Sequence, residues 1–362
     1  MNILYDHQIF LSQKFGGPSR YFIELSKNIN RLNENSIIYS PFYINRYLKV
    51  EKDKNFKKKI FLLRKAKLNF FFNYINEVLT KKFVQEMKFD ILHPTYYDIQ
   101  KYKNFKIPKI LTVYDLTHEK FAEHYGLSRN HKIKKNALDH ADHFLCPSNA
   151  TKKDLIEIYN IHENKISVIY WAPFLDPNNT IIKKKYEKPF LLFVGNRHKY
   201  KNAYKFLEAF AKNNFLLNNL EIIFFGGGKF NTYEKQIINK LMLEKKIKLI
   251  NGSDDELINL YKNAEALVYP SLYEGLGLPI LESMNYGCPV ITSYSSGMIE
   301  AGGNAVEYFD PNDTESISSS IVKVLDSKNY ANKLINLGYE HVKHFSWELC
   351  AKQTFKIYKK LL

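Results

Sequence analysis

Ala266-Leu-Val-Tyr-Pro-Ser271, followed closely by Glu274-Gly-Leu-Gly-Leu-Pro-Ile-Leu-Glu282, reads as a strand, a glycine-rich turn and a helix, with two carboxylates eight residues apart. The apolar run has strand character, Gly275 and Gly277 free the backbone to turn, and Pro279 suits a first helical turn. Glu274 then belongs to the turn, and Glu282 lies about one helical turn inside the helix at roughly 3.6 residues per turn. Exposed N–H groups at such a helix start, backed by the helix dipole, attract phosphate, and carboxylates accept hydrogen bonds from sugar hydroxyls. The same spacing also suits an ordinary strand, turn and helix with a solvated Glu282.

Working outward, both halves of the chain alternate strands and helices, which predicts parallel, doubly wound α/β sheets. In the first half the expected strands are Ile3 to Tyr5, Ser36 to Phe42, Ile91 to Pro94, Ile110 to Tyr114 and Phe144 to Pro147, with Asn149 capping the helix that follows the last. In the second half they are Phe190 to Val194, Glu221 to Phe225, Ile247 to Ile250, Ala266 to Tyr269 and Val290 to Thr292. Between the halves, Pro173 to Pro189 is the least periodic stretch and reads as a linker. The expected domains are residues 1–175 and 176–345, with 346–362 as a terminal helix. At 362 residues, two cores are the better expectation than one.

Each candidate motif follows a strand, where open α/β sheets bind their ligands. Arg197 and Lys201 follow Gly195, and their charges suit a diphosphate, Arg as a bidentate fork and Lys as a point charge. Gly226 and Gly227 permit close approach of a nucleotide, and Gly252 opens a turn suited to framing its base. On the first half, Gly16 and Gly17 permit backbone approach to phosphate or sugar, Arg20 suits an anionic group, and Asp115 and His118 follow the Ile110 to Tyr114 strand. For each of these the alternative is structural: a tight turn, a surface cation or a helix cap.

Around these residues the chain resembles the retaining glycosyltransferases of family 4. The resemblance rests on Tyr5-Asp-His-Gln-Ile-Phe10, Gly16-Gly-Pro-Ser-Arg-Tyr-Phe22, Thr112-Val-Tyr-Asp-Leu-Thr-His-Glu119 and Cys146-Pro-Ser-Asn-Ala150. It continues through Phe193-Val-Gly-Asn-Arg197, Tyr200-Lys-Asn202, the paired glutamates, Phe309-Asp-Pro311 and Phe345-Ser-Trp-Glu348. It implies the GT-B architecture of two Rossmann-like domains, with the terminal helix returning to the first. It further implies transfer of a hexose, with a lean to mannose from GDP-mannose, onto a lipid-linked or surface-glycan acceptor with retained configuration. Glu274, Asp115 and His118 would be catalytic, and Arg197, Lys201, Glu282, Gly275, Leu276, Gly277, Gly226, Gly227 and Gly252 would bind the donor. Gly16, Gly17 and Arg20 would lie on the acceptor side. Relatives carry His-Asp where this chain has Tyr114-Asp115, so His118 is the candidate to replace the displaced histidine.

No Asp-x-Asp element follows a strand, so neither a metal nor another cofactor is expected. Cys146, Cys288 and Cys350 are widely spaced and suggest neither a disulfide framework nor zinc. With no spanning segment and no signal peptide apparent, the expected location is cytoplasmic, peripheral on the inner face of the membrane. The formal charge of +16 is concentrated locally, with ten Lys or Arg from Arg46 to Lys67 interleaved with Phe56, Ile60 and Phe61 and followed by Phe70-Phe-Phe72. That segment suits an anionic membrane surface, or else a solvated face. A basic nucleic-acid binder would leave the glutamates and glycine turns without purpose, and no nucleic acid is expected. A GT-B sugar-nucleotide epimerase is the alternative enzyme; it needs no basic arm.

Overall fold

The structure, a computed structural model, describes residues 1–62, 69–125, 129–175 and 186–362. Arg64, Lys65 and Lys67 of the basic segment, and residues 176–185 of the expected linker, lie outside the described residues. The chain forms two compact units, residues 1–171 with 346–362, and residues 172–345.

In the first unit, strands β1 (Asn2–Tyr5), β2 (Asn35–Tyr43), β3 (Phe56–Phe61) and β4 (Ile91–His93) pair in the order β3-β2-β1-β4, all parallel. Strands β5 (Ile110–Thr112), β6 (His143–Cys146) and β7 (Ile166–Val168) form a second parallel sheet, joined to the first by a bridge between Leu92 and Lys109. Ile3, Leu4 and Tyr5 are fully buried, as an unbroken apolar strand covered on both faces requires. The Gly17–Arg31 helix buries Tyr21, Phe22, Leu25 and Ile29. The terminal Trp347–Lys360 helix packs back on it, capped by Ser346, whose side chain accepts from the Leu349 amide. Its Tyr358 hydroxyl lies 2.7 Å from His93 Nδ1 and 3.1 Å from the Tyr5 hydroxyl, so a buried polar contact fixes where that helix lands.

In the second unit, β8 (Phe190–Val194), β9 (Glu221–Phe225), β10 (Ile247–Ile250), β11 (Ala266–Tyr269), β12 (Val290–Ser293) and β13 (Glu307–Phe309) form one parallel sheet in the order β10-β9-β8-β11-β12-β13. The winding direction reverses between β8 and β11. Phe193, Phe206, Phe210, Phe224, Val268 and Ile291 pack in its core.

Two local expectations need correction. The cap after β6 is Ser148, whose side chain accepts from the Thr151 amide, and Asn149 is the first helical residue. The basic segment is not one amphipathic piece. It begins as a short Arg46–Val50 helix and continues as edge strand β3, where charge blunts pairing with other chains. Lys58 points inward from that strand and donates to the carbonyls of Leu48, Lys49 and Glu51, closing the end of the short helix. Burial lowers its pKa.

Candidate active site

Lys201 and Glu274 meet across the reversal point of the second sheet. Lys201 ends a turn after β8, and Glu274 stands in the turn after β11; the two strands are register neighbours. Lys201 Nζ donates to Glu274 Oε1 at 2.6 Å and to the Tyr269 hydroxyl at 3.0 Å. Both charged side chains are largely buried, 10% and 13% exposed, so the pair keeps a small open face. Burial, then the Glu274 carboxylate, raises the Tyr269 phenol well above its ordinary range, and it stays protonated. The Glu274 amide donates to Ser296 Oγ, and its carbonyl accepts from the Gly297 amide, bracing the turn from the next loop.

The helix after that turn is Leu278–Asn285, with Gly277 as its N-cap at φ +97°, a left-handed conformation that favours glycine, and proline in its first turn. Glu282 is buried rather than solvated, and Tyr261 donates to its Oε2 at 3.2 Å. Gly252 precedes Ser253, which caps the Asp254–Asn263 helix by accepting from the Glu256 amide.

Arg197 is placed differently from Lys201. Its Nε donates to Glu234 at 2.8 Å, and its Nη atoms donate to the carbonyls of Gly226 at 2.9 Å and Gly228 at 3.0 Å. Its guanidinium lies 4.7 Å from the Phe230 ring centroid. Gly227, at φ +73°, has no room for a Cβ, which would come within 2.6 Å of Arg197 Nη1. The arginine therefore clamps the glycine turn. A cavity of about 450 Å³ adjoins it, bordered by Asn202, Tyr204, Phe230, Tyr233 and Glu234 but by neither Lys201 nor the paired glutamates.

In the first unit, Asp115 and His118 line a cavity of about 240 Å³ walled by Tyr96, Tyr97 and Tyr114. Asp115 Oδ1 accepts from the Thr117 amide, which starts the short Thr117–Lys120 helix carrying His118. Lys134, buried, donates to Glu119 Oε2 and to the Asp115 carbonyl, and Tyr159 donates to Glu119 Oε1. Tyr114 donates to the Thr95 carbonyl. Gly16 is the N-cap of the Gly17–Arg31 helix, where a Cβ would require the end of the Gln13 side chain to shift. Arg20 lies over the Tyr47 ring at 5.0 Å and does not line this cavity. Tyr269, Tyr261, Ser296 and Lys134 are the contributors that motif reading missed; Tyr269 alone stood inside a quoted motif.

The comparisons with known proteins agree with this fold. Residues 15–172 match the family described as Glycosyltransferase Family 4, and residues 177–341 match Glycosyl transferases group 1. The chain belongs to the GT-B glycosyltransferases. It is 28% identical over 278 residues to O-antigen chain mannosyltransferase B of Escherichia coli, covering 71% of this chain and 73% of that one. It is 32% identical over 196 residues to O-antigen chain mannosyltransferase RfbU of Salmonella typhimurium, 53% of each. Among solved structures, sucrose-phosphate synthase from Thermosynechococcus elongatus superposes with a TM-score of 0.79 at 18% identity, over 99% of this chain and 98% of that one. WaaG, a glycosyltransferase involved in lipopolysaccharide biosynthesis, does so with a TM-score of 0.75 at 16% identity, over 99% of each chain. These two likenesses concern the fold.

Proposed function

We propose that this glycosyltransferase moves mannose from GDP-mannose to a lipid-linked saccharide, retaining the anomeric configuration. The observation that carries the reading is the Lys201–Glu274 pair at the reversal point of the second sheet, 2.6 Å apart and partly open. Lys201 meets the diphosphate charge and hands part of its attention from Glu274 to the donor. The Gly275-Leu276-Gly277 turn and the helix start offer N–H groups to phosphate. Glu282 accepts from the ribose hydroxyls, Gly226 and Gly227 let the nucleotide approach the backbone, and Gly252 borders the base. Glu274 orients the sugar. On the acceptor side, Asp115 and His118 hold the attacking hydroxyl, with Gly16, Gly17 and Arg20 toward the anionic part of the acceptor. The bond from C1 to the phosphate oxygen breaks as the acceptor oxygen bonds C1 on the same face, and the leaving phosphate takes the acceptor proton.

The mannose assignment is supported by the two O-antigen mannosyltransferases, and a lipid-linked acceptor by another relative, whose name specifies a diphosphoundecaprenol substrate. Because side chains and a helix start carry the diphosphate charge, no metal is needed. No described helix is long and apolar enough to cross a membrane. We place the enzyme on the inner membrane face, where Lys57 and Lys59 of β3 face solvent. The test is transfer from GDP-mannose, against UDP and ADP sugars, to a short lipid-linked acceptor, with the product anomer read by NMR. An α-linked mannoside formed equally with and without EDTA is expected. Transfer only from another donor overturns the mannose assignment; an inverted product overturns retention; metal-restored activity overturns the metal-free site.

A further inference from the structure

The Asn69–Glu86 helix is amphipathic in the wrong sense over its first half. Its inward side chains are polar: Asn76, Thr80 and Asn73. Asn76 accepts from the Phe42 amide at 2.9 Å and donates to the Phe42 carbonyl at 2.8 Å. Thr80 and Asn73 bracket the buried His7 ring at 3.3 Å and 3.2 Å. The cause is topological. β1 ends at Tyr5, opposite Ile38, so β2 runs on past it with no strand on that side, and the peptide groups of Phe42 take a side-chain partner, Asn76.

The outward face is correspondingly apolar. Phe70 is 83% exposed, Phe71 53%, Tyr74 59% and Val78 46%, a stripe with helical spacing of four along one side. Ile60 of β3, the register partner of Phe42, is exposed as well, and Phe42 packs on Phe72 of the helix. So large a group of exposed apolar side chains in one element marks a contact surface. Its surroundings are basic: Lys57 and Lys59 are exposed on β3, and the acidic residues of the helix, Glu77 and Glu86, are paired with Lys81 and Lys82.

We propose that the Phe70, Phe71, Tyr74 and Val78 face enters the interface of an anionic lipid bilayer, with Lys57 and Lys59 at the headgroups. Aromatic rings beside lysines suit that layer, where the apolar side is buried and the charges meet lipid phosphate. A second copy of the chain would bring like charges together. The proposal gives a docking element to the lipid-linked acceptor of the proposed function, and rests on that reading for its purpose; its test uses no acceptor.

The full chain is mixed with vesicles of phosphatidylcholine containing phosphatidylglycerol, and with phosphatidylcholine alone. Wild type is expected to sediment with the anionic vesicles. A variant carrying Phe70→Gln, Phe71→Gln, Tyr74→Gln and Val78→Gln should lose at least about tenfold in partitioning, given the apolar area removed, with unchanged melting and nucleotide affinity. Tyr74→Trp should show a blue-shifted emission on adding vesicles. Equal partitioning of the variant, no binding by wild type, or no shift at position 74 overturns the proposal. So does a wild-type dimer that the variant dissolves, which would make the face a self-association surface. If wild type binds vesicles but transfers nothing to a lipid-linked acceptor, the docking stands and the acceptor assignment fails.

Discussion

The two units wind their first strands in the same order, yet fill the reversal point with opposite materials. Between β1 and β4 stands Asp6, fully buried, accepting from Gln8 Nε2 at 2.6 Å, the Thr95 amide at 2.9 Å and the Tyr102 hydroxyl at 2.8 Å. Its acceptors are spent inside the protein, and the nearby Lys101 charge, with the Gln8 and Thr95 hydrogen bonds, holds it ionised against the cost of burial. Between β8 and β11 stand Lys201 and Glu274, a pair with an open face. One crossing point is a closed brace, and the other keeps the open face that the proposed function gives to the donor. A second lysine–glutamate pair makes the contrast sharper: Lys134 and Glu119, 3.0 Å apart, are only 6% and 3% exposed, and Glu119 also holds Tyr159. Topology offers the position; how far the groups there are closed off from solvent separates the two.

The largest expected effect separates these two pairs. Glu274→Gln keeps the size of the side chain and a weaker contact to Lys201, but removes the charge that the proposed function uses to orient the sugar. Turnover should fall about 100- to 1,000-fold, the usual loss for one electrostatic contact at a reacting centre, with little change in melting temperature. Glu119→Gln should do the reverse, because the more deeply buried Lys134 loses its counter-charge and keeps only neutral acceptors; breaking such a pair costs about 3 to 5 kcal/mol of stability. Steady-state kinetics beside thermal melts on both variants checks this. If Glu274→Gln melts early and turns over normally, the open pair is a brace like its counterpart.

A smaller effect concerns the nucleotide. Glu282→Ala should weaken GDP affinity by roughly 1.5 to 3 kcal/mol, about 10- to 100-fold, since a carboxylate accepting from hydroxyls forms charge-assisted bonds. Tyr261→Phe, which removes only the donor behind Glu282, should weaken it far less. Calorimetry on both variants separates a ribose contact from a core pair, and equal losses would place Glu282 among the structural carboxylates with Asp6.

The donor turn was legible because its residues dictate backbone geometry. Glycine at position 277 is what a left-handed N-cap favours, proline sits in the first helical turn, and the apolar run before Pro270 leaves few readings but a buried strand. The same logic placed β8 to β11 at their observed bounds. It failed for β3, because Phe-Lys-Lys-Lys-Ile-Phe has strand alternation masked by charge, which an edge strand tolerates and a central one does not. Where long side chains point was not legible. Arg197 turns to Glu234 and the Gly226 and Gly228 carbonyls, and Lys58 to the end of a helix formed by earlier residues. Such choices depend on partners brought together by the fold. Capping was half legible: adjacent Ser148 and Asn149 both suit the role, and only φ and ψ decide between them.

The last expected effect, the pH response, distinguishes the units rather than the sites. His93 is fully buried in the first unit, with Nδ1 toward Tyr358 and Nε2 toward Thr112, and burial pushes its pKa down to about 3. His7, equally buried, is pushed down to about 3 by burial and the Lys101 charge, partly opposed by Asp6. An unfolded histidine takes its proton near pH 6.5. Between that value and about 3 the unfolded chain therefore binds more protons than the folded one, so stability is complete above about 6.5 and declines as pH falls. At pH 5 the loss from His93 should be on the order of 2 kcal/mol, before most carboxylates titrate. In the second unit His341 is lowered too, but it is only partly buried. Hydrogen exchange at pH 7 and pH 5, corrected for intrinsic rates, should show protection lost first in β1, β4 and the Trp347–Lys360 helix that Tyr358 anchors. Equal loss across both units would mean that neither buried histidine sets the acid limit of its unit.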